Sequence, residues 1–223
     1  KPPEDPAMDY AAARHNMVEC QVRPNHVTDK KLLDAMRALP REAFVPTEFQ
    51  GVAYVDEAVP LGEGRYLMAP MTMARLMQIA APASSDLALV VGCATGYAAA
   101  VLSHMVGVVV ALEKDSGLAA EAAQTLTGLG IDTVAVVEGS LAGGYPDQAP
   151  YDVIYFDGAV PEVPAGIASQ LAEGGRLVSV LSGGGTDSAI LMSRYPGGLS
   201  SRSVFESAAP PLPGFEREKV FAF

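Results

Sequence analysis

LALVVGCATGYAAAVLSHMVGVVVAL, Leu87–Leu112, is the stretch that decides how this chain folds. No Asp, Glu, Lys or Arg interrupts it, and its 26 residues are enough to cross a bilayer. Its interior argues otherwise. Gly92, Thr95, Gly96, Ser103, His104 and Gly107 divide it into strand-like, turn-like and helix-like pieces. The reading is a buried strand (Leu87–Val91), a glycine turn (Gly92–Gly96), a helix (Tyr97–His104) and a second buried strand (Val106–Leu112) ended by Glu113. Continuous apolar strands of this kind belong in the middle of a parallel sheet covered on both faces.

Working outward, the same rhythm continues. A helix is predicted at Gly117–Leu129 and a third strand at Thr133–Glu138. A fourth strand follows at Tyr151–Phe156, a helix at Ala165–Ala172 and a fifth strand at Arg176–Leu181. Short strands at Ala189–Tyr195 and Lys219–Phe223 predict an antiparallel edge. The alternation implies an open, mostly parallel α/β sheet with helices on both faces, and ligands beyond the carboxyl ends of its strands.

Upstream, Asp9–Gln21 reads as a helix broken by Pro24, and Lys30–Ala38 as a second, capped by Thr28 or Asp29 and stopped by Pro40. Pro40–Pro70 is rich in proline and glycine and reads as an irregular lid; Met71–Ala80 resumes helical spacing. The organisation expected is a tail at 1–7, helices and lid at 8–80, and a sheet core at 81–223 forming one unit with them. KPPEDPA at Lys1–Ala7 reads as a disordered linker or an expression-derived remnant ahead of Met8, and no apolar leader core precedes the fold.

Composition narrows the function. With 15 Lys and Arg against 26 Asp and Glu in 223 residues, and no basic cluster, nucleic acid is a poor partner. Cys20 and Cys93 have no metal-like spacing, so neither a disulfide framework nor a zinc site is expected, and a reduced, cytoplasmic setting without membrane attachment is. His15, His26 and His104 show no ligand spacing either.

The candidate chemistry lies at the strand ends. Gly92-Cys93-Ala94-Thr95-Gly96-Tyr97 follows a strand and opens a helix, so a ligand can approach its backbone N–H groups. The bland alternative is a turn needed only for packing. Glu113, with Lys114 beside it, ends the second strand, where an acid commonly holds a ribose diol. In the lid, Arg65 suits a carboxylate and Tyr66 offers a phenol, though an exposed ion pair and a packed ring are equally ordinary. Asp157, in Tyr155-Phe156-Asp157-Gly158, can hold an amino group or act as a base, against the commoner reading of a turn-forming Asp-Gly pair. Cys93 reads as a small loop residue, and the methionines of 68–77 as core.

Several of these stretches resemble the protein-L-isoaspartate O-methyltransferase family. They are AM-x-x-x-PRE-x-FVP at Ala35–Pro46, AYVDEAVPLG at Ala53–Gly62, GYAAAVLS at Gly96–Ser103, ALEKD at Ala111–Asp115, and APYDVI, GAVPEVP and QLAEGGRLV within Ala149–Val178. The resemblance implies a class I, Rossmann-like methyltransferase fold: a mostly parallel seven-stranded sheet with an N-terminal cap. It also implies S-adenosyl-L-methionine as methyl donor, S-adenosyl-L-homocysteine as product, and isoaspartyl groups of damaged proteins or peptides as acceptors. Gly92, Ala94, Gly96 and Tyr97 match the family's cofactor loop, with Cys93 and Thr95 between them; Glu113 matches the ribose acid and Gly139-Ser140-Leu141 the turn beside the adenine.

The chain departs from the family pattern at Val90 (commonly acidic), Ala94 (commonly glycine), Ser140 (commonly aspartate) and Met68, in GRYLMAP where the family reads GQTISQP. Asp157 stands near the family's Thr-Ala-Ala. Met68 removes a hydroxyl that orients the acceptor. Two alternatives follow: a methyltransferase with a different acceptor, such as a small molecule, or a binding or regulatory protein that has lost methyl transfer.

Overall fold

The computed structural model describes residues 8–183 and 185–216; the tail at 1–7 and the strand expected at Lys219–Phe223 lie outside them. At its centre β3 (Leu87–Val91) is flanked in parallel by β4 (Val108–Glu113) and β6 (Tyr151–Val160). The full order is β5-β4-β3-β6-β7-β8-β9, where β5 is Val134–Glu138, β7 Leu171–Leu181, β8 Ser188–Tyr195 and β9 Gly198–Glu206. The first five strands in this order run parallel, β8 pairs antiparallel with β7, and β9 pairs antiparallel with β8. Chain direction across the sheet reverses between β3 and β6, and this is where open α/β sheets leave a crevice.

Strand alternation sends Ala88 and Val90 to one face and Leu89 and Val91 to the other. The first face packs against α4 (Tyr97–Ser103) and against the cap helices α1 (Tyr10–Asn16), α2 (Lys30–Ala38) and α3 (Pro70–Ala80). Asp29 caps α2 by accepting from Leu32 N, and Asp115 caps α5 (Ser116–Gly128) through Leu118 N. The opposite face is thinner. It is covered by the single-turn α6 (Ala165–Ala168), by Leu141, and by Leu212 and Phe215 of the C-terminal segment.

Three differences from the sequence reading bear on the site. The lid is not irregular throughout: β1 (Val59–Gly62) and β2 (Arg65–Leu67) form an antiparallel hairpin around Gly62-Glu63-Gly64, all three with positive φ. An antiparallel strand that the sequence reading did not name, β9, pairs with β8. And Asp157-Gly158 is not a turn, because β6 continues to Val160 with an irregularity opposite β7 between Tyr155 and Ala159.

Candidate active site at the carboxyl ends of β3, β4 and β6

The glycine loop is stitched to the end of β4: Gly92 N and Cys93 N both donate to Leu112 O, at 2.9 and 3.0 Å. Gly92 (φ +78°), Ala94 (φ +47°) and Gly96 (φ +97°) are all left-handed, which turns the chain sharply into α4. Ala94 takes this conformation with a Cβ, at a cost of about 1–2 kcal/mol. Thr95 donates its hydroxyl to Phe44 O at 2.6 Å, so it fastens the loop to the cap. Tyr97 also turns to the cap, its ring against Phe44 and under the Arg41 guanidinium.

Glu113 is fully buried at the end of β4. Its carboxylate accepts from Ala94 N (2.8 Å), Lys114 N (2.8 Å) and Asp115 N (3.1 Å). The remaining capacity goes to Arg65, whose Nη1 lies 2.6 and 2.7 Å from the two carboxylate oxygens. Arg65 Nη2 donates to Gly92 O at 2.8 Å. The pair is 3% and 0% exposed, so the lid hairpin inserts a guanidinium between the acid and the glycine loop.

A second element arrives from the C-terminal side. Ala159 N donates to Pro210 O at 2.7 Å and Leu212 N to Ala159 O at 2.8 Å, holding this strap along the end of β6. Leu212 lies so close that a Cβ on Gly92 would sit 2.7 Å from its Cδ2, and one on Gly158 would sit 2.8 Å from its Cγ and from Pro210 O. Glycine at 92 and 158 is what lets the strap settle. The space left near Glu63, Arg65, Lys114, Asp115 and Pro213 is about 150 Å³, below the several hundred Å³ usual for a cofactor site.

The other sequence candidates are distributed unevenly. Tyr66 alternates away from Arg65 on β2 and is exposed, so the hairpin does not bring the two together. Lys114 and Ser140 are exposed, Gly139 is half-buried, and Leu141 is packed in the core. The Cys93 thiol is buried, and burial together with the Glu113 and Asp157 charges pushes its pKa up, which keeps it protonated. His15, His26 and His104 are exposed, and among the described residues no group of His, Cys, Asp and Glu could hold a metal ion.

Asp157 projects from the β6 irregularity, 4% exposed, with Tyr155 OH 3.4 Å from its Oδ1. Burial pushes its carboxyl up to about 7, against the pull of Arg65 and Arg41. Tyr155 OH also reaches Met68 Sδ at 3.6 Å, so a thioether and a phenol stand together where the lid meets β6. Arg41, a residue the sequence reading did not single out, is fully buried and donates to Ala53 O and Met68 O, both at 2.6 Å. It lies in the PRE motif, beside Glu42, and nothing in the local sequence marks it as buried. Nearby, a cavity of about 400 Å³ is lined by Asp56, Glu57, Ala69, Met71, Thr72 and Pro210, among others. The hydroxyl of Thr72 pairs with that of Ser207 at 2.8 Å.

Comparison with known proteins places this arrangement. Residues 12–198 match the family model described as protein-L-isoaspartate(D-aspartate) O-methyltransferase. A protein-L-isoaspartate O-methyltransferase of Roseiflexus castenholzii is 41% identical over 176 residues, covering 79% of this chain and 80% of that protein. Its counterpart in Koribacter versatilis is 34% identical and covers 92% of each. A solved protein-L-isoaspartate O-methyltransferase superposes with a TM-score of 0.80 at 27% identity, over 90% of this chain and 66% of that longer one. A Plasmodium falciparum protein solved with S-adenosyl-L-homocysteine shares the fold at a TM-score of 0.74 and 18% identity. Since the family match takes in the lid, the glycine loop and the acid of β4 together, the chain belongs to the protein-L-isoaspartate(D-aspartate) O-methyltransferase family, whose members are S-adenosylmethionine-dependent enzymes.

Proposed function

We propose that this chain is a methyltransferase of its family's kind, transferring methyl from S-adenosyl-L-methionine to the side-chain carboxylate of isoaspartyl groups in damaged proteins or peptides. The observation that carries the reading is Glu113: an acid at the end of β4, anchored by Ala94 N, beside a left-handed glycine loop and one strand away from the point where the strand order reverses. As arranged, these residues do not admit the cofactor, because Arg65 and Leu212 fill the space over Glu113 and Gly92.

The acceptor chemistry asks little of the protein. A carboxylate is already ionised at neutral pH, so orientation, rather than proton removal, is what a site must supply. The cavity beside Thr72 and Pro210 is the natural acceptor groove, and the Thr72 and Ser207 hydroxyls are the donors closest in kind to the serine absent at Met68. The unpaired thiols of Cys20 and Cys93 suit a reducing, cytoplasmic setting.

Asp157 favours a second reading, in which the donor is the same and the acceptor is a hydroxyl or amine that must lose a proton. A buried carboxyl near 7 is suited to take that proton. Methyl-labelled S-adenosylmethionine with an isoaspartyl peptide separates the two. A base-labile label on that peptide, absent from the ordinary aspartyl peptide, is the expected result. No label with either the native chain or Leu212→Ala refutes carboxylate methylation, and a base-stable label on another acceptor favours the role for Asp157.

A further inference from the structure

We infer that Arg65 and Leu212 together form an internal plug in the nucleotide site, so that cofactor binding requires the lid hairpin and the C-terminal strap to withdraw. The inference rests on the methyltransferase reading of this site and adds a regulated entrance to it.

The hydrogen bonding of Glu113 is the first argument. A carboxylate offers about four lone-pair directions, and here Ala94 N, Lys114 N, Asp115 N and Arg65 Nη1 use them. A ribose diol can reach Glu113 only by displacing Arg65, since the three backbone donors are fixed by the loop and by the start of α5. Space is the second argument. Arg65 Nη2 and Leu212 Cδ2 converge over one residue, lying 3.1 and 2.7 Å from the position of a Cβ on Gly92. No layer remains between glycine loop and strap for a ligand to occupy.

Charge is the third. Glu113 and Asp157 both act on this centre, each raising the pKa of the Cys93 thiol, and Arg65 opposes them. A sulfonium cofactor carries the same sign as the guanidinium it would replace, so the site passes from one resident cation to another without leaving two acids uncompensated. Arg65 directly follows Gly62-Glu63-Gly64, and two backbone hydrogen bonds hold Pro210–Leu212 to Ala159. The halves are 147 positions apart in sequence, so their meeting at Gly92 couples the hairpin to the strap.

The test is calorimetric titration of S-adenosyl-L-homocysteine into the native chain, Arg65→Ala and Leu212→Ala. Binding at least tenfold tighter in each variant is expected, because the ligand no longer has to expel a side chain. In the native chain, saturating ligand should also speed hydrogen exchange at the Leu212 amide by releasing its bond to Ala159 O; this readout holds even where Arg65→Ala fails to fold. The plug is refuted if a folded variant binds no tighter, if none of the three binds, or if ligand slows Leu212 exchange. A variant that binds tightly yet leaves no base-labile methyl on an isoaspartyl peptide supports the plug and removes only the carboxylate reading.

Discussion

Replacing Asp157 by Asn should change how stability depends on pH more than it changes stability itself. In the fold this carboxyl titrates near 7; in the unfolded chain it titrates near its ordinary 3.8. Between those values the unfolded chain has lost a proton that the folded chain keeps, so unfolding releases a proton and stability falls as pH rises. Below about 4 both states are protonated and above about 7 both are ionised, so the dependence flattens at each end. At about 1.4 kcal/mol per unit, the full window amounts to roughly 4 kcal/mol, and the part between pH 5 and 8 to about 2–3 kcal/mol. Asn has the same shape, is neutral throughout, and can accept from Tyr155 OH as Asp157 does. The advantage of Asp157→Asn over the native chain should therefore grow by about 2–3 kcal/mol from pH 5 to pH 8. Urea unfolding followed by far-ultraviolet circular dichroism at the two pH values measures it. A gap that stays constant with pH would show that Asp157 ionises in the fold as it does in water, and would remove the basis for giving it a proton-transfer role.

Two further outcomes follow from the same geometry. Breaking the buried pair should be asymmetric: Arg65→Met leaves Glu113 with three backbone donors and should cost about 1–3 kcal/mol, whereas Glu113→Gln strands a guanidinium that cannot lose its charge and should cost about 3–5 kcal/mol. Chemical denaturation of both variants measures this, and an equal or reversed cost would refute the assignment of the backbone donors. Ala94→Gly should raise stability by up to about 1 kcal/mol, the relief of a left-handed Cβ less the added freedom of the unfolded chain; a clear loss in the same assay would show that the methyl group packs usefully.

The central unit was legible because β3 and β4 are buried on both faces and so write themselves as unbroken apolar runs. β9 was not, since seven of its nine residues are exposed and its Ser200-Ser201-Arg202-Ser203 run shows no buried period. Arg65 and Tyr66 read as neighbours in one loop, but a two-residue period sends them to opposite sides once Leu67 and Val59 pair. Asp157-Gly158 looked like a turn because the reason for that glycine, the close approach of Pro210 and Leu212, comes from more than fifty positions away. The acid of β4 could be proposed from its place after a strand. Its partner could not, because only the folded lid brings Arg65 to it.

Arg41 gives the lid a property of another kind. By holding Ala53 O and Met68 O it clasps the chain just before and just after the hairpin, so the ends of that segment are fixed to one buried side chain. With both ends held, extra chain between them costs little, about 0.6 kcal/mol of closure entropy for each doubling of the segment. The stretch between Ala53 and Met68 is in effect a cassette. A change in its length should therefore leave the PRE element and the sheet beneath it in place.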